Sequence, residues 1–330
     1  MLMALLVIAV IGGWELYLRL HGVTVSYDNG KELWADKRAM VYESPQKTTV
    51  FIGSSRIKFD LDIDTWQKVT GRHAVQLAIE GSSPIPVLKD LGDDTAFHGR
   101  LVVDVTEGLF LSQAPYNLYK PEGNVAYYRA RTPAQRASFL LDRALESGFV
   151  FLDRDFMSLN TMLDAYKVPN RPGVFAFPLF PMDFNRTTFD RQSKMTDKFV
   201  ADTAMQHRVQ NVWLFVMEMG KHAPPPKEDP FPTIMQTVKT AVDKIRARGG
   251  DVVFLRSPSS GPMFGVEQHV FPRAKVWDPL LASTHSMGIH FTDYPATSHL
   301  VCPEWSHLSP QDAVVYTRAL VDELPKEFVQ

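Results

Sequence analysis

Cysteine is almost absent. Cys302 is the only one in 330 residues, which excludes an intrachain disulfide and any multi-thiolate zinc or iron–sulfur centre. It reads as a small buried apolar side chain. An excess of either charge is absent too, with 35 Lys and Arg against 37 Asp and Glu and a net charge of -2. No cationic surplus is available to displace counterions from a polyphosphate, so nucleic acid is not an expected partner. Gly-x-x-x-x-Gly-Lys-Ser/Thr, a post-strand Gly-x-Gly-x-x-Gly and His-Glu-x-x-His are all missing, which leaves nucleotide-binding and zinc-protease readings without support. His285, His290, His299 and His307 crowd the C-terminal part without metal-ligand spacing, so no metal and no other cofactor is expected. What remains is ordinary globular composition, 45% hydrophobic and 22% charged. The length suits one large domain with insertions, or two small ones.

Long apolar runs are scarce, with one exception. Met1 to Gly13 carries no charge, and apolar character continues through Trp14, Leu16, Tyr17 and Leu18 to Arg19, interrupted by Glu15. That is about 18 residues, near the lower limit for a spanning helix. An A-x-A cleavage site is missing, which favours an uncleaved anchor over residues 1–20. An amphipathic helix packed on the body is the alternative. Taken literally, Arg19, Lys31, Lys37 and Arg38 after the run would leave the body in the cytoplasm. We set that aside because a start codon placed too far downstream would remove basic residues ahead of the run, and expect an extracytoplasmic body.

After a polar connecting segment, residues 21–47, short apolar runs end in polar turns. They are Thr48 to Ile52, His73 to Ile79, Arg100 to Val105, Asn211 to Val216 and Asp251 to Leu255. Helical patterns lie between them at Pro86 to Asp94, Lys194 to His207, Pro232 to Arg248 and Ser309 to Leu324. Such alternation predicts a three-layer α/β/α domain over 48–330 with a central parallel sheet. Residues 110–192 break the rhythm, with helical character only around Ala134 to Glu146. They read as a large insertion over the carboxyl edge of the sheet, with a separate domain as the alternative.

Ligands of open parallel sheets bind beyond the carboxyl ends of the strands. The residues there are Ser54, Ser55 and Arg56, then Gly81 and Ser82, Thr106 and Glu107, Glu218, and Arg256 and Ser257. A serine at a strand-to-helix turn can act as a nucleophile beside backbone N–H groups that stabilise an oxyanion. The same Gly-Ser-Ser could serve only as a turn and cap. The far end of the chain favours the nucleophile. His307 precedes a helix started by Ser309 and Pro310, and Glu304 can turn back to one imidazole nitrogen, leaving the other to take a serine proton. Asp293 is a reserve carboxylate.

These blocks resemble the SGNH (GDSL-like) hydrolase superfamily. Gly53-Ser54-Ser55-Arg56 looks like its first block, in the form found in membrane-anchored members, with Ser55 as nucleophile. Gly81 resembles the second-block glycine that gives an oxyanion N–H. Glu304-Trp305-Ser306-His307 resembles the last block, with Glu in place of Asp. The resemblance implies a flavodoxin-like fold and a catalytic set of Ser55, His307 and Glu304. It implies an oxyanion hole from Ser55, Gly81 and, replacing an asparagine missing from the third block, Thr106, with Asn117 or Asn124 as other substitutes. Arg56, beside the serine, is the candidate for binding an anionic substrate group, with a solvated or salt-bridged arginine as the alternative. It further implies a membrane-tethered esterase or O-acyltransferase on the periplasmic side of a bacterial inner membrane, acting on acyl esters of cell-surface carbohydrate beside a membrane-bound O-acyltransferase. Lipid esters and a non-catalytic binding or assembly protein of the same fold are the alternatives.

Overall fold

The computed structural model describes residues 1–158, 161, 163, 177–222 and 228–329. Its main sheet consists of β1 (Thr48–Ile52), β2 (His73–Gln76), β3 (Arg100–Asp104), β6 (Asp251–Arg256) and β7 (Met287–His290), while β4 (Arg186–Thr187) and β5 (Ser193–Lys194) form a small antiparallel pair. Side chains of the central strands divide by parity. Val50, Ile52, Leu101, Val103, Val252 and Phe254 enter one apolar cluster, and Phe51, Val102, Val253 and Leu255 enter the other. A strand buried on both faces must be apolar throughout, which is why these segments are runs rather than alternations.

Helices cover both faces. Lys31–Ala39, Ile85–Asp93, Phe231–Ala247 and Trp277–Thr284 contribute Trp34, Leu88, Val238 and Leu280 to the first cluster. Ser55–Asp60, Ile63–Thr70 and Pro310–Glu323 contribute Ile57, Trp66 and Tyr316 to the second. The result is a three-layer α/β/α body with strand order β2-β1-β3-β6-β7, every neighbouring pair parallel. The winding reverses between β1 and β3, and the crevice beyond their carboxyl ends is the ligand position of a doubly wound sheet.

Three expectations need correction. Asn211 to Val216 is not a strand but the middle of helix Thr203–His222, which buries Val209 and Val212 at helical spacing and leaves Leu214 and Val216 outside; Glu218 therefore ends no strand. The helix expected over Lys194 to His207 is divided among β5, Asp197–Ala201 and the start of that long helix. The fifth main strand is β7, an edge strand whose Gly288 and His290 hide a β pattern. Residues 21–47 are also more than a connector: Trp34 is buried and its indole donates to the Leu77 carbonyl at 2.9 Å. In the insertion, helix Pro133–Gly148 carries a Thr132/Gln135 capping box, and Pro115–Ala130, with Pro121 inside it, packs on Lys31–Ala39 and Ile85–Asp93.

Helix Leu2–Leu20 is long and apolar enough to cross a membrane, with mean hydropathy 1.7 and only Leu18 buried. Glu15, the charge that interrupts its sequence, accepts the backbone N–H groups of Val150 and Phe151 at 3.1 and 3.2 Å and the Arg19 side chain at 2.7 Å. It fastens the base of the helix to the body. Truncation of residues 1–20 is expected to move the protein from the membrane pellet to the soluble fraction with an unchanged far-ultraviolet circular dichroism shape. A truncated protein that stays in the pellet after alkaline washing would overturn the anchor.

Candidate active site

β1 delivers the serine turn. Gly53 has φ +157, and a Cβ there would lie 2.7 Å from Asp104 Cβ and 2.8 Å from Ile57 Cγ2, so only glycine lets the end of β1 press against the end of β3. Ser54 is extended and buried, and its hydroxyl lies 2.9 Å from that of Thr106. Ser55 opens helix Ser55–Asp60 and is part-exposed. Two adjacent serines are thus sorted by the turn: one is consumed in packing and the other faces the crevice.

The last loop approaches from the opposite side. Trp305 is left-handed at φ 79, a strained conformation for a bulky residue. Its carbonyl accepts from Ser260 N at 2.9 Å, and its N–H donates to the Cys302 carbonyl at 3.0 Å. Cys302 itself is buried, as its composition suggested. This turn folds Glu304 back under His307. Glu304 Oε1 accepts from Ser306 N at 3.2 Å, His307 N at 2.6 Å and His307 Nδ1 at 2.9 Å, while Oε2 accepts the Trp213 indole N–H. The far ring nitrogen, His307 Nε2, lies 2.8 Å from Ser55 Oγ. With Nδ1 donating to a carboxylate, Nε2 carries the lone pair that accepts the serine hydroxyl.

Comparison with protein-family models finds no match, and comparison with curated proteins finds none.

The surroundings hold this relay rigidly. His307 is 1% exposed, and its ring packs against those of Phe59, Phe184 and Trp213 at centroid distances of 4.4, 5.7 and 6.0 Å. Asp60, at the far end of the helix that Ser55 begins, accepts Leu308 N at 2.9 Å, so one short helix sets Ser55 and also grips the histidine loop. Burial pushes the Asp60 carboxyl well above its usual range. Trp213 and Asp60 escaped the sequence reading. Trp213 sat in a run taken for a strand, and Asp60 is 248 residues from the amide it holds.

The other expected site residues divide. Gly81 is exposed, left-handed at φ +61, and its N–H has no acceptor among the described residues. Asn117 of the insertion clamps its turn, donating to the Gly81 carbonyl at 2.7 Å and accepting Ser83 N on its own carbonyl at 3.0 Å. Asn117 therefore supports the loop rather than offering its amide to an oxyanion; Asn124 is half-buried on the same helix. Thr106 sits in the crevice, but its hydroxyl is paired with that of Ser54 at 2.9 Å and lies 3.4 Å from Asp104 Oδ2. Arg56 is a correction. At 2% exposure it pairs with Glu267 inside a buried network that also holds Arg256 and Glu107, because the turn of the helix rotates the residue after Ser55 into the interior. Asp293 pairs with Arg273 at the surface. Among the described residues no His, Cys, Asp and Glu group has metal-binding geometry.

Proposed function

We propose that the chain is a serine esterase or O-acyltransferase of the SGNH type, acting on acyl, chiefly acetyl, esters of cell-surface carbohydrate through an acyl-Ser55 intermediate. The observation that carries this reading is the relay from Ser55 Oγ through His307 to Glu304, with separations of 2.8 and 2.9 Å and an acid whose hydrogen bonds among the described residues all come from N–H donors. His307 Nε2 takes the Ser55 proton as Oγ attacks the ester carbonyl, then returns it to the departing alcohol oxygen. Gly81 N–H and Ser55 N–H receive the oxyanion. Water attacking the acyl-enzyme completes hydrolysis, and a sugar hydroxyl completes transfer; exclusion of water decides between them.

The carbohydrate ester, a membrane-bound O-acyltransferase as partner, and a body on the outer face of the membrane follow from the block resemblance together with the apolar helix. A non-catalytic binding protein is the second reading, favoured by the engaged Thr106 hydroxyl and the lack of a third-block asparagine. Losing one oxyanion donor costs on the order of 3 kcal/mol, which slows turnover without abolishing it.

A fluorophosphonate probe separates the two readings, because attack on phosphorus needs the same activated hydroxyl. Peptide mapping is expected to find the adduct on Ser55 alone, and Ser54→Ala is expected to label like wild type. A folded protein that takes no label gives the binding reading the better claim.

A further inference from the structure

Separate segments of the chain converge on Glu80, the residue before Gly81. Lys58, one turn after Ser55 on the same helix, is completely buried and gives its ammonium to Glu80 Oε1. Asn29, from the segment after the N-terminal helix, donates to both carboxylate oxygens at 2.9 and 2.8 Å, and Ser193 of β5 donates at 3.4 Å. Arg191 closes the arrangement from the insertion. It is buried and left-handed at φ 64, and it donates to Asn29 Oδ1 at 3.0 Å, to the Gln76 carbonyl at 2.7 Å and to the Ala78 carbonyl at 3.1 Å.

A buried ammonium costs stability that an apolar side chain of the same length would not. Its place gives the charge a use. Lys58 is joined through the helix backbone to the nucleophile and through Glu80 to the turn that carries the Gly81 N–H. We propose that Lys58 is a positioning residue, which through Glu80 fixes the Gly81 N–H relative to Ser55 Oγ so that nucleophile and oxyanion donor are held as one unit. This rests on the roles given to Ser55 and Gly81 under the proposed function.

The charged groups facing Lys58 are Glu80, Arg191 and Asp155. Burial pulls the Lys58 ammonium down to about 8 against the upward pull of Glu80. Burial pushes the Glu80 carboxyl up, but Lys58 and Arg191 outweigh it and hold it at about 2. The pair is therefore intact below pH 8 and loses its cation, while Glu80 stays ionised, as the pH rises through that value. Turnover should fall on the alkaline side for this reason.

The test uses the full chain in detergent micelles with p-nitrophenyl acetate as the probe ester, read as kcat and KM from pH 6 to 10. Wild type is expected to lose kcat through about pH 8. Lys58→Arg, whose guanidinium keeps its proton, is expected to retain kcat to higher pH. Lys58→Met is expected to lower kcat at pH 7 by about 10- to 100-fold with KM little changed, as misplacement of a catalytic group does. Amide hydrogen exchange at Ser83, whose N–H is held by the Asn117 carbonyl in the same turn, should also quicken in that variant. Folded Lys58→Met with wild-type kcat and an unchanged alkaline limb overturns the proposal. If wild type neither hydrolyses the ester nor labels, the esterase reading fails; exchange then decides the positioning on its own, with an unchanged rate at Ser83 overturning it.

Discussion

Replacing His307 with Ala is expected to lower turnover of an activated ester by about 10⁶-fold and to abolish fluorophosphonate labelling, the loss seen when a serine–histidine pair acting as a unit is broken. Ser55→Ala should lose about as much, and the double variant no more than either alone, because each change removes the same proton transfer. The structure places the ring among Phe59, Phe184 and Trp213, so truncation also opens a cavity and costs about 2 kcal/mol or more. His307→Gln fills most of that space and separates the effects: it should restore much of the melting temperature and none of the turnover. Steady-state kinetics beside thermal melts provide the check, and activity of a folded His307→Gln protein above about one hundredth of wild type would remove the histidine from the mechanism.

What could be read from the sequence was whatever a short contiguous block encodes. Gly53 to Ser55 can only be a tight turn after a buried strand, and Ser309 with Pro310 marks the helix behind His307; each block carries its own geometry and needed only to be brought to the other. The sheet was legible for the same reason, since its central strands are unbroken apolar runs. Features set by packing between distant segments were not. Trp213 reaches Glu304 from a helix whose apolar run resembles a strand, and Glu80 gathers Lys58, Asn29 and Ser193 from three parts of the chain. Arg56 shows the opposite error. Adjacency in sequence to a nucleophile is not adjacency to substrate, because one helical step turns a side chain by about 100°, here away from the crevice and into the ionic network of Glu267 and Arg256.

Glu304→Gln is expected to lower kcat by about 10²- to 10⁴-fold, less than loss of His307, because the acid steadies the imidazolium without accepting its proton. The hydrogen bonds state how the amide must lie. Oε1 takes three N–H donors, from Ser306, His307 and the imidazole, and Oε2 takes the Trp213 indole. A glutamine has one oxygen, and placing it on the three donors leaves its amide N–H₂ facing the indole N–H. The indole N–H then loses its acceptor and the amide N–H₂ finds none, a cost of about 1–3 kcal/mol for each buried donor left unpaired. The reverse orientation would strand three donors and force the wrong histidine tautomer, so the first is adopted. Adding Trp213→Phe removes the opposed indole N–H. The double variant should therefore recover much of the lost stability while leaving kcat as low as in Glu304→Gln alone. Recovery of turnover together with stability would mean that Glu304 serves only to hold the loop; stability that recovers alone assigns its charge to the reaction.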